Sequence, residues 1–543
     1  MAGCNSMLLR SLALAALLAA APTATSTQLL RDWLPAAGVA GVEELLLAEG
    51  FETVESMLEV KLSEADLKEL GLPMRQRKKL LKALQAEEEA CDVAAAQAHD
   101  SLPLVAPPKI WKHALLRREG VEVGYRQRWP LEDGRTVAVT TLSMQPLVFL
   151  LDDYMTAEET DELIAAAEAK QMTTGSNTFS SKAIQGDKHP AEYNDLNADG
   201  MLDDRELLYA ADHVIDGHLT LEDVHAMMRD LDMDKDGDGS LDKEEQAGGP
   251  DGAAVASYLN ELVAREPTKR SRMSDLTWLR LVEAPVARKL QQRMASVMAV
   301  PPAVVTLSQK MQVVRYDVGG QYTAHLDSGV QPQPRSGKEG AMPCCHLARQ
   351  EERKLLHAGG ESGLQMRPKH ECRICRYATL LYNLNDVPEG CGGETVFPLA
   401  NNATWAALDA AATTTVGPKK VPNPAGRKEL MKAVNEWRVH GERESEYCSG
   451  GSNGGLRVQP RKGQAILWYN HHLQPSDSTL GEADYLSLHG GCRVRDEEGG
   501  GGGAGGCAWV DGIAHEKWIA NHWIEASEDY EEDEKVAHTA GRH

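Results

Sequence analysis

The sequence predicts a multidomain chain that is helical at its start, interrupted by two acidic loops in the middle and rich in strands beyond residue 300. Three observations carry this. A length of 543 residues exceeds a single core at roughly 100 to 200 residues per domain. Apolar residues recur at helical spacing from Leu29 to about Glu87 and alternate, as in strands, from Met311 onward. Between these regions stand two oxygen-rich segments turning on glycine, Asp195 to Glu206 and Asp234 to Glu245. With 42% hydrophobic and 25% charged residues the composition is globular rather than disordered. A net charge of -24 argues against nucleic acid as a partner and repels anionic lipid. Ten cysteines are too few for a disulfide scaffold, so any bridges supplement a core that already folds.

Residues 1–26 read as a signal peptide. Arg10 precedes an apolar run from Leu12 to Ala21, about half the ~20 residues that a bilayer span requires, and Ala24 and Ser26 satisfy a small-x-small cleavage rule. An uncleaved membrane anchor is the alternative. The mature chain is then expected in the secretory pathway, where Asn402-Ala403-Thr404 is a glycosylation sequon and cysteines tend to be oxidised.

Residues 27–87 carry Trp33, Leu34, Leu45, Leu46, Phe51, Val54, Met57, Leu67, Leu80 and Leu84 at three- and four-residue spacings. Ser63 with Asp66 starts one helix, and Gly71-Leu72-Pro73 breaks the chain before the last. Trp33-Leu34, the string from Leu62 to Leu72 and Arg77 to Leu81 resemble parts of a sterile alpha motif domain. The resemblance implies a helical module that binds a protein partner or self-associates; an ordinary helical bundle is the alternative. Residues 88–108, rich in Ala and Pro, read as a linker.

The segment 181–262 reads as an EF-hand pair. Asp195, Asn197, Asp199, Met201, Asp203 and Glu206 fill positions 1, 3, 5, 7, 9 and 12 of the twelve-residue calcium loop, with Gly200 at the turn. The second loop takes the register Asp234, Asp236, Asp238, Ser240, Asp242 and Glu245, because starting from Asp232 would put Lys243 where a bidentate carboxylate is needed. Leu202 and Leu241 both stand at position 8. The expected ligand is Ca2+.

Beyond residue 300, Met311 to Tyr316 and Gln321 to Asp327 read as strands around Gly319-Gly320. Alternation puts His325 and Asp327 on one face, where an imidazole and a carboxylate can reach one metal ion. His489, in the strand-like stretch Leu488 to Cys492, supplies a third ligand. Two histidines and a carboxylate on one face of Fe(II) leave positions open for a chelating cosubstrate and O2. Further on, Lys517, Ile519, Asn521 and Trp523 share a strand face, and an inward lysine is costly to bury without an anion.

Taken with Gln312 to Tyr316, His325 to Gly329, Cys375 to Asn385, Gly392 to Pro398, Leu456 to Val458, Trp468 to Asn470, Ser487 to Cys492 and Lys517 to Asn521, these residues resemble the prolyl 4-hydroxylase family of Fe(II)- and 2-oxoglutarate-dependent dioxygenases, above all its transmembrane branch of the endoplasmic reticulum. The resemblance implies a double-stranded β-helix, a jelly roll with flanking helices. It divides the chain into a first oxygenase part at 109–180 that includes a strand from Pro146, the inserted EF-hand pair, a catalytic part at 263–524 resuming near Trp278, and an acidic solvated tail at 525–543. It also implies iron ligation by His325, Asp327 and His489, and pairing of Lys517 with 2-oxoglutarate. Tyr316 and Thr379 would touch the cosubstrate, while Tyr322 and Trp523 would line a groove for a proline-containing peptide. The implied reaction couples decarboxylation of 2-oxoglutarate to hydroxylation at proline C4, with ascorbate as a further cofactor, in the endoplasmic reticulum lumen.

The interval from His489 to Lys517 is longer than the family's and contains the glycine run 499–503, so Arg493 and Arg495 compete for the 2-oxoglutarate role. The context Trp518 to Asn521 favours Lys517, since a hairpin loop lengthens at little cost. The resemblance implies a Cys345–Cys375 bridge; a zinc site drawn from Cys344, Cys345, His370, Cys372 and Cys375 is its rival. Two other functions remain open, a peptidyl lysine hydroxylase and a catalytically silent calcium-responsive adaptor.

Overall fold

The computed structural model describes residues 33–105, 115–174, 200–328, 374–495, 507 and 515–527, apart from short stretches within them. The chain divides into two compact units, Met1–Leu104 and Val105–His543. The signal peptide expected at 1–26 lies outside the described residues.

In the first unit the helices Glu43–Ala48, Glu64–Glu69 and Met74–Ser101 surround a core of Trp33, Leu34, Val39, Leu46, Val54, Met57, Leu67, Leu80 and Leu84. Ser63 and Asp66 form a reciprocal capping box, satisfying two of the backbone donors that a helix start leaves open. Gly71, at φ 79°, and Pro73, the N-cap of the next helix, separate the last two. That helix corrects one expectation, because it runs unbroken to Ser101 through most of the stretch read as a linker. Ala, Glu and Gln have the highest helix propensities, and the first proline after the cap is Pro103.

Among its described residues the second unit has twenty strands. They are β1 (Arg126–Pro130), β2 (Thr136–Met144), β3 (Leu147–Asp152), β4 (Thr173–Thr174), β5 (Leu202–Asp203), β6 (Ser240–Leu241), β7 (Arg272–Met273), β8 (Asp275–Leu279), β9 (Met311–Asp317), β10 (Gln321–His325), β11 (Ile374–Asn383), β12 (Thr395–Phe397), β13 (Thr413–Val416), β14 (Lys419–Pro422), β15 (Leu456–Val458), β16 (Ala465–Tyr469), β17 (His471–Leu473), β18 (Leu480–Ala483), β19 (His489–Gly491) and β20 (Glu516–Ser527). Nine of them form a large sheet in the order β1-β2-β3-β16-β11-β20-β9-β8-β4, and five form a small sheet in the order β15-β12-β19-β10-β7. From β9 to β20 the chain passes back and forth between the sheets, which is the double-stranded β-helix.

Alternation along each strand assigns the faces. Phe149, Val313, Leu380, Leu467 and Ala520 of the large sheet pack with Leu163, Leu290 and Met294, which come from the covering helices Ala157–Ala169 and Pro285–Met298. Their immediate neighbours Leu150, Val314, Leu381, Ile466 and Ile519 face the other way and join Phe397 and Val458 of the small sheet. Both faces of the large sheet are therefore covered, as buried central strands require. Between the covering helices, Arg293, wholly buried, forms a two-pronged ion pair with Glu159 and donates to the carbonyl of Tyr154.

The β1–β2 hairpin precedes the strand expected from Pro146 and was not anticipated. At the other end β20 continues to Ser527, with Glu525 buried opposite Arg376 on β11. This corrects the solvated tail expected from residue 525, because β11 extends far enough to keep its partner paired.

The insertion leaves and re-enters at one sheet edge, where β4 pairs with β8 through Thr173↔Leu276 and Thr174↔Asp275. Within it are the helices Asp204–Ile215, Leu221–Asp230, Lys243–Gly248 and Gly252–Arg265. β5 and β6 pair through Leu202↔Leu241, so the two position-8 leucines meet across a short ladder and enter a core with Leu208, Val224, Met227 and Leu259.

Candidate active site

A tight turn aims the first ligand segment. Gly319 sits at φ 84°, and a Cβ on Gly320 would stand 2.7 Å from the Asp317 carbonyl, so both positions need glycine. β10 then delivers His325 directly opposite His489 of β19 in the antiparallel register. A Cβ on Gly490 would lie 2.9 Å from the Tyr322 carbonyl, so glycine beside the ligand lets the strands close.

The two rings are oriented in the same way. His325 Nδ1 lies 2.8 Å from the Thr323 carbonyl and His489 Nδ1 lies 2.8 Å from the Ser487 carbonyl. A carbonyl only accepts, so each Nδ1 carries the proton and each Nε2 keeps its lone pair for the cavity. Asp327 completes the group, its carboxylate 3.8 Å from His325 Nε2 and 3.6 Å from His489 Nε2. One ligand atom from each of the three lies within 4.8 Å of the others. Burial raises the Asp327 pKa, but His489, Arg376 and His325 together with the Thr379 hydroxyl outweigh it and hold the carboxyl at about 2. Burial, reinforced by His489, pushes His325 well below its usual range and keeps the ring neutral.

These residues fit a divalent metal. They offer two imidazoles and a carboxylate converging on one cavity, with outer hydrogen bonds that orient each donor.

The group borders a cavity of about 360 Å³. Lys517, Ile519, Asn521 and Trp523, alternate residues of β20, all line it, as the strand periodicity predicts. Lys517 is 2% exposed, and its ammonium lies 5.5 Å from the Tyr316 ring. Burial pulls its pKa down to about 8, with Glu394 opposing. Among the described residues no carboxylate forms an ion pair with it. Arg493 instead donates to Gln321 at 2.7 Å, and neither it nor Arg495 lines the cavity.

Other expected residues divide. Tyr316 lines the cavity and Tyr322 stacks on His325 with ring centroids 3.7 Å apart. Thr379, expected against a cosubstrate, does not line it; it is buried and donates to Asp327 Oδ2 at 2.6 Å. The Trp523 indole donates to the same oxygen at 2.9 Å. Two arginines at the cavity wall were not read from the sequence. Arg272 lies over Tyr322 and Arg376 over Trp523, 4.9 and 3.7 Å from the ring centroids. The signal for Arg376 was its place in the Cys375 to Asn385 string, but a register shift between Arg376 and Ala378 breaks simple alternation there.

Two disulfides, Cys391–Cys507 and Cys448–Cys492, were not foreseen, since ten cysteines leave their pairing open. The expected Cys345–Cys375 bridge and its zinc rival with Cys344, His370 and Cys372 fall outside the described residues and side chains. Asn402, the sequon asparagine, is the N-cap of helix Ala403–Ala411, its side chain accepting from Thr404 N and Trp405 N.

In the insertion Asp234, Asp236 and Glu245 can converge on one ion. Glu245 accepts from the backbone of Lys235 and Asp242, and Asp234 from Gly237 and Gly239. Of the first loop, Asp195, Asn197 and Asp199 lie outside the described residues. In its second half Glu206 is buried and accepts from Asp203 N, and Gly200 has φ 88°.

Two antiparallel sheets enclosing a His–Asp–His group and a buried lysine define a β-helix oxygenase-type protein. The chain is 30% identical over 421 residues to the transmembrane prolyl 4-hydroxylase of Mus musculus, covering 76% of this chain and 69% of that protein. It is 23% identical over 257 residues to prolyl 4-hydroxylase subunit alpha-1 of Gallus gallus, covering 47% and 28%. This chain belongs to the prolyl 4-hydroxylase family of dioxygenases. No protein-family model matches it. Among solved structures, the viral collagen prolyl hydroxylase of Paramecium Bursaria Chlorella virus-1, in complex with 2-oxoglutarate, aligns at 19% identity with a TM-score of 0.23, covering 47% of this chain and 79% of that one. A Pseudomonas putida prolyl-4-hydroxylase aligns at 11% identity with a TM-score of 0.20, covering 48% and 74%.

Proposed function

We propose that this chain hydroxylates peptidyl proline at C4, using Fe(II), 2-oxoglutarate and O2 with ascorbate in support. The observation that carries the reading is the pairing, across one cavity, of the His325–Asp327–His489 group with a buried lysine that forms no ion pair with a carboxylate among the described residues. When bound, the iron would activate O2 at the expense of 2-oxoglutarate. The protein's part is placement. His325, Asp327 and His489 hold the metal. Lys517 binds the distal carboxylate of 2-oxoglutarate beside Tyr316, because only an anion there compensates its desolvation. Tyr322 and Trp523, each held by an arginine over its ring, line the cavity where a proline ring would pack.

Mass spectrometry of proline-rich peptides incubated with the enzyme, Fe(II), 2-oxoglutarate and ascorbate tests this. A mass gain of one oxygen on proline is expected. A gain on lysine, or none together with no succinate, would point to the lysine hydroxylase or to the silent adaptor.

The same reading gives the insertion at 181–262 two calcium ions. The second loop carries carboxylates at positions 1, 3, 5, 9 and 12, and the β5–β6 ladder couples it to the first. It places the chain in the endoplasmic reticulum lumen with Asn402 glycosylated and gives the N-terminal helices a protein partner or a second copy of themselves. Among the described residues no helix is long and apolar enough to cross a membrane.

A further inference from the structure

The motif Trp468-Tyr469-Asn470 is left without a role by the reaction itself, since Asn470 is 1% exposed and does not line the cavity. Its side chain lies in a chain of hydrogen bonds that ends on the carboxylate ligand. Trp468 Nε1 donates to Asn470 Oδ1 at 2.9 Å, Asn470 Nδ2 donates to Thr379 Oγ1 at 2.8 Å, and Thr379 Oγ1 donates to Asp327 Oδ2 at 2.6 Å. Trp468 and Thr379 are both fully buried. The backbone of Asn470 is clamped as well, its N–H on the Tyr377 carbonyl and its own carbonyl accepting from Asp484 N.

The direction of this chain follows from its two ends. An indole N–H can only donate, so it must face the amide oxygen of Asn470 and turn the NH2 toward Thr379. The threonine oxygen then accepts, which leaves its single proton for Asp327. Asp327 Oδ2, 2.6 Å from that hydroxyl, is the atom the proton reaches. Any other orientation sets donor against donor or lone pair against lone pair among fully buried groups. We infer that Asn470, oriented by Trp468, is a positioning residue: it fixes the Thr379 hydroxyl as a donor to Asp327 Oδ2 and so holds the carboxylate with Oδ1 available to the metal. The inference rests on the reading of His325, Asp327 and His489 as metal ligands.

Trp523 donates to the same Oδ2 from the cavity side. With Arg376 Nη1 no nearer than 3.8 Å to Oδ1, Trp523 would be left as the one hydrogen bond to the carboxylate oxygens among the described residues, whereas two donors from different strands, β11 and β20, fix its plane. Breaking the chain should therefore loosen the metal without removing a ligand, an outer-contact loss that typically costs about 10- to 100-fold in metal affinity.

The test titrates the full chain with Co(II) and follows visible absorption, a readout independent of turnover. Asn470→Asp keeps the shape but presents an acceptor to Thr379 and reverses the last step. Thr379→Val removes the donated proton at nearly constant volume, and Thr379→Ser restores it. We expect the Co(II) dissociation constant to rise about 10- to 100-fold in Asn470→Asp and Thr379→Val, with an altered band shape, and Thr379→Ser to lie within about threefold of wild type. Should Asn470→Asp not fold, Thr379→Val and its serine rescue decide. Wild-type affinity and spectrum in Thr379→Val, or serine as impaired as valine, overturns the inference while leaving the metal site intact. Failure of the wild type to bind Co(II), with His325→Ala indistinguishable from it, overturns the metal reading and the inference with it.

Discussion

Among the described residues, the two clusters able to hold a metal are built in opposite ways. Asp234, Asp236 and Glu245 come from one twelve-residue loop, which its own backbone N–H groups brace, and Asp236 is exposed. His325, Asp327 and His489 come from segments far apart in sequence, and only the β10–β19 register brings the two imidazoles together. On the proposed function, loss of an ion from the loop should therefore be felt as stability, whereas loss of a side chain from the buried group should be felt as chemistry with the fold intact.

The largest effect that would break this contrast is at the ligands. His325→Ala, Asp327→Ala or His489→Ala should each lower succinate release by well over the roughly 100-fold cost of losing an outer contact, with a melting temperature near that of wild type. Normal release by any one removes the site. Lys517→Ala comes next, with the KM for 2-oxoglutarate rising about 10- to 100-fold, the value of a charge-assisted contact; an unchanged KM, or the same rise only in Arg493→Ala, would move the role.

The same lysine predicts a pH effect. In the free protein its pKa of about 8 lies below the usual 10.5, so the folded state releases its proton first. Between those values the unfolded chain binds more protons, and the lysine's contribution to stability rises with pH; below 8 both states are protonated and its cost is fully present. At pH 7, 2-oxoglutarate at a concentration that just saturates wild type should raise its melting temperature more than that of Lys517→Ala, and its affinity should fall as pH rises past 8 if pairing needs the ammonium.

A smaller effect sharpens the other side of the comparison. Chelator should lower the wild-type melting temperature by roughly 5 °C or more, as expected for a ligand present well above its Kd. It should have no effect on the double variant Glu206→Gln, Glu245→Gln; a wild-type curve indifferent to chelator would separate the loops from the core. The smallest is Asn402→Ala, where loss of the N-cap should cost about 1 kcal/mol, measured by denaturant unfolding of unglycosylated protein.

Legibility followed the same division. The convergence of Asp234, Asp236 and Glu245, the Ser63–Asp66 cap and the inward face of β20 obey short-range rules, which periodicity and spacing carry. The end of the helix Met74–Ser101 is hard to read locally, because an alanine-rich stretch beside Pro103, Pro107 and Pro108 fits a linker as well as a helix. Glu525 was misplaced because an acidic run reads as solvated unless the length of its partner strand is known. The two disulfides, Arg272 over Tyr322, and the hydroxyl of Thr379 turned to Asp327 all depend on contacts between distant segments. No local pattern carries these.

The bridge between β4 and β8 has a kinetic side. The chain leaves the sheet edge at Thr174 and returns at Asp275 as the antiparallel neighbour, so the excursion starts and ends within one strand spacing. Closing so long a loop before it folds is entropically costly, though the cost grows only logarithmically with length. If the insertion folds first its ends are already gathered, and the sheet then closes what is in effect a short turn, lowering the contact order that the β-helix must overcome. Refolding that quickens in the presence of calcium, and a domain that keeps its register when the excursion is replaced by a tight turn, are what such an arrangement permits.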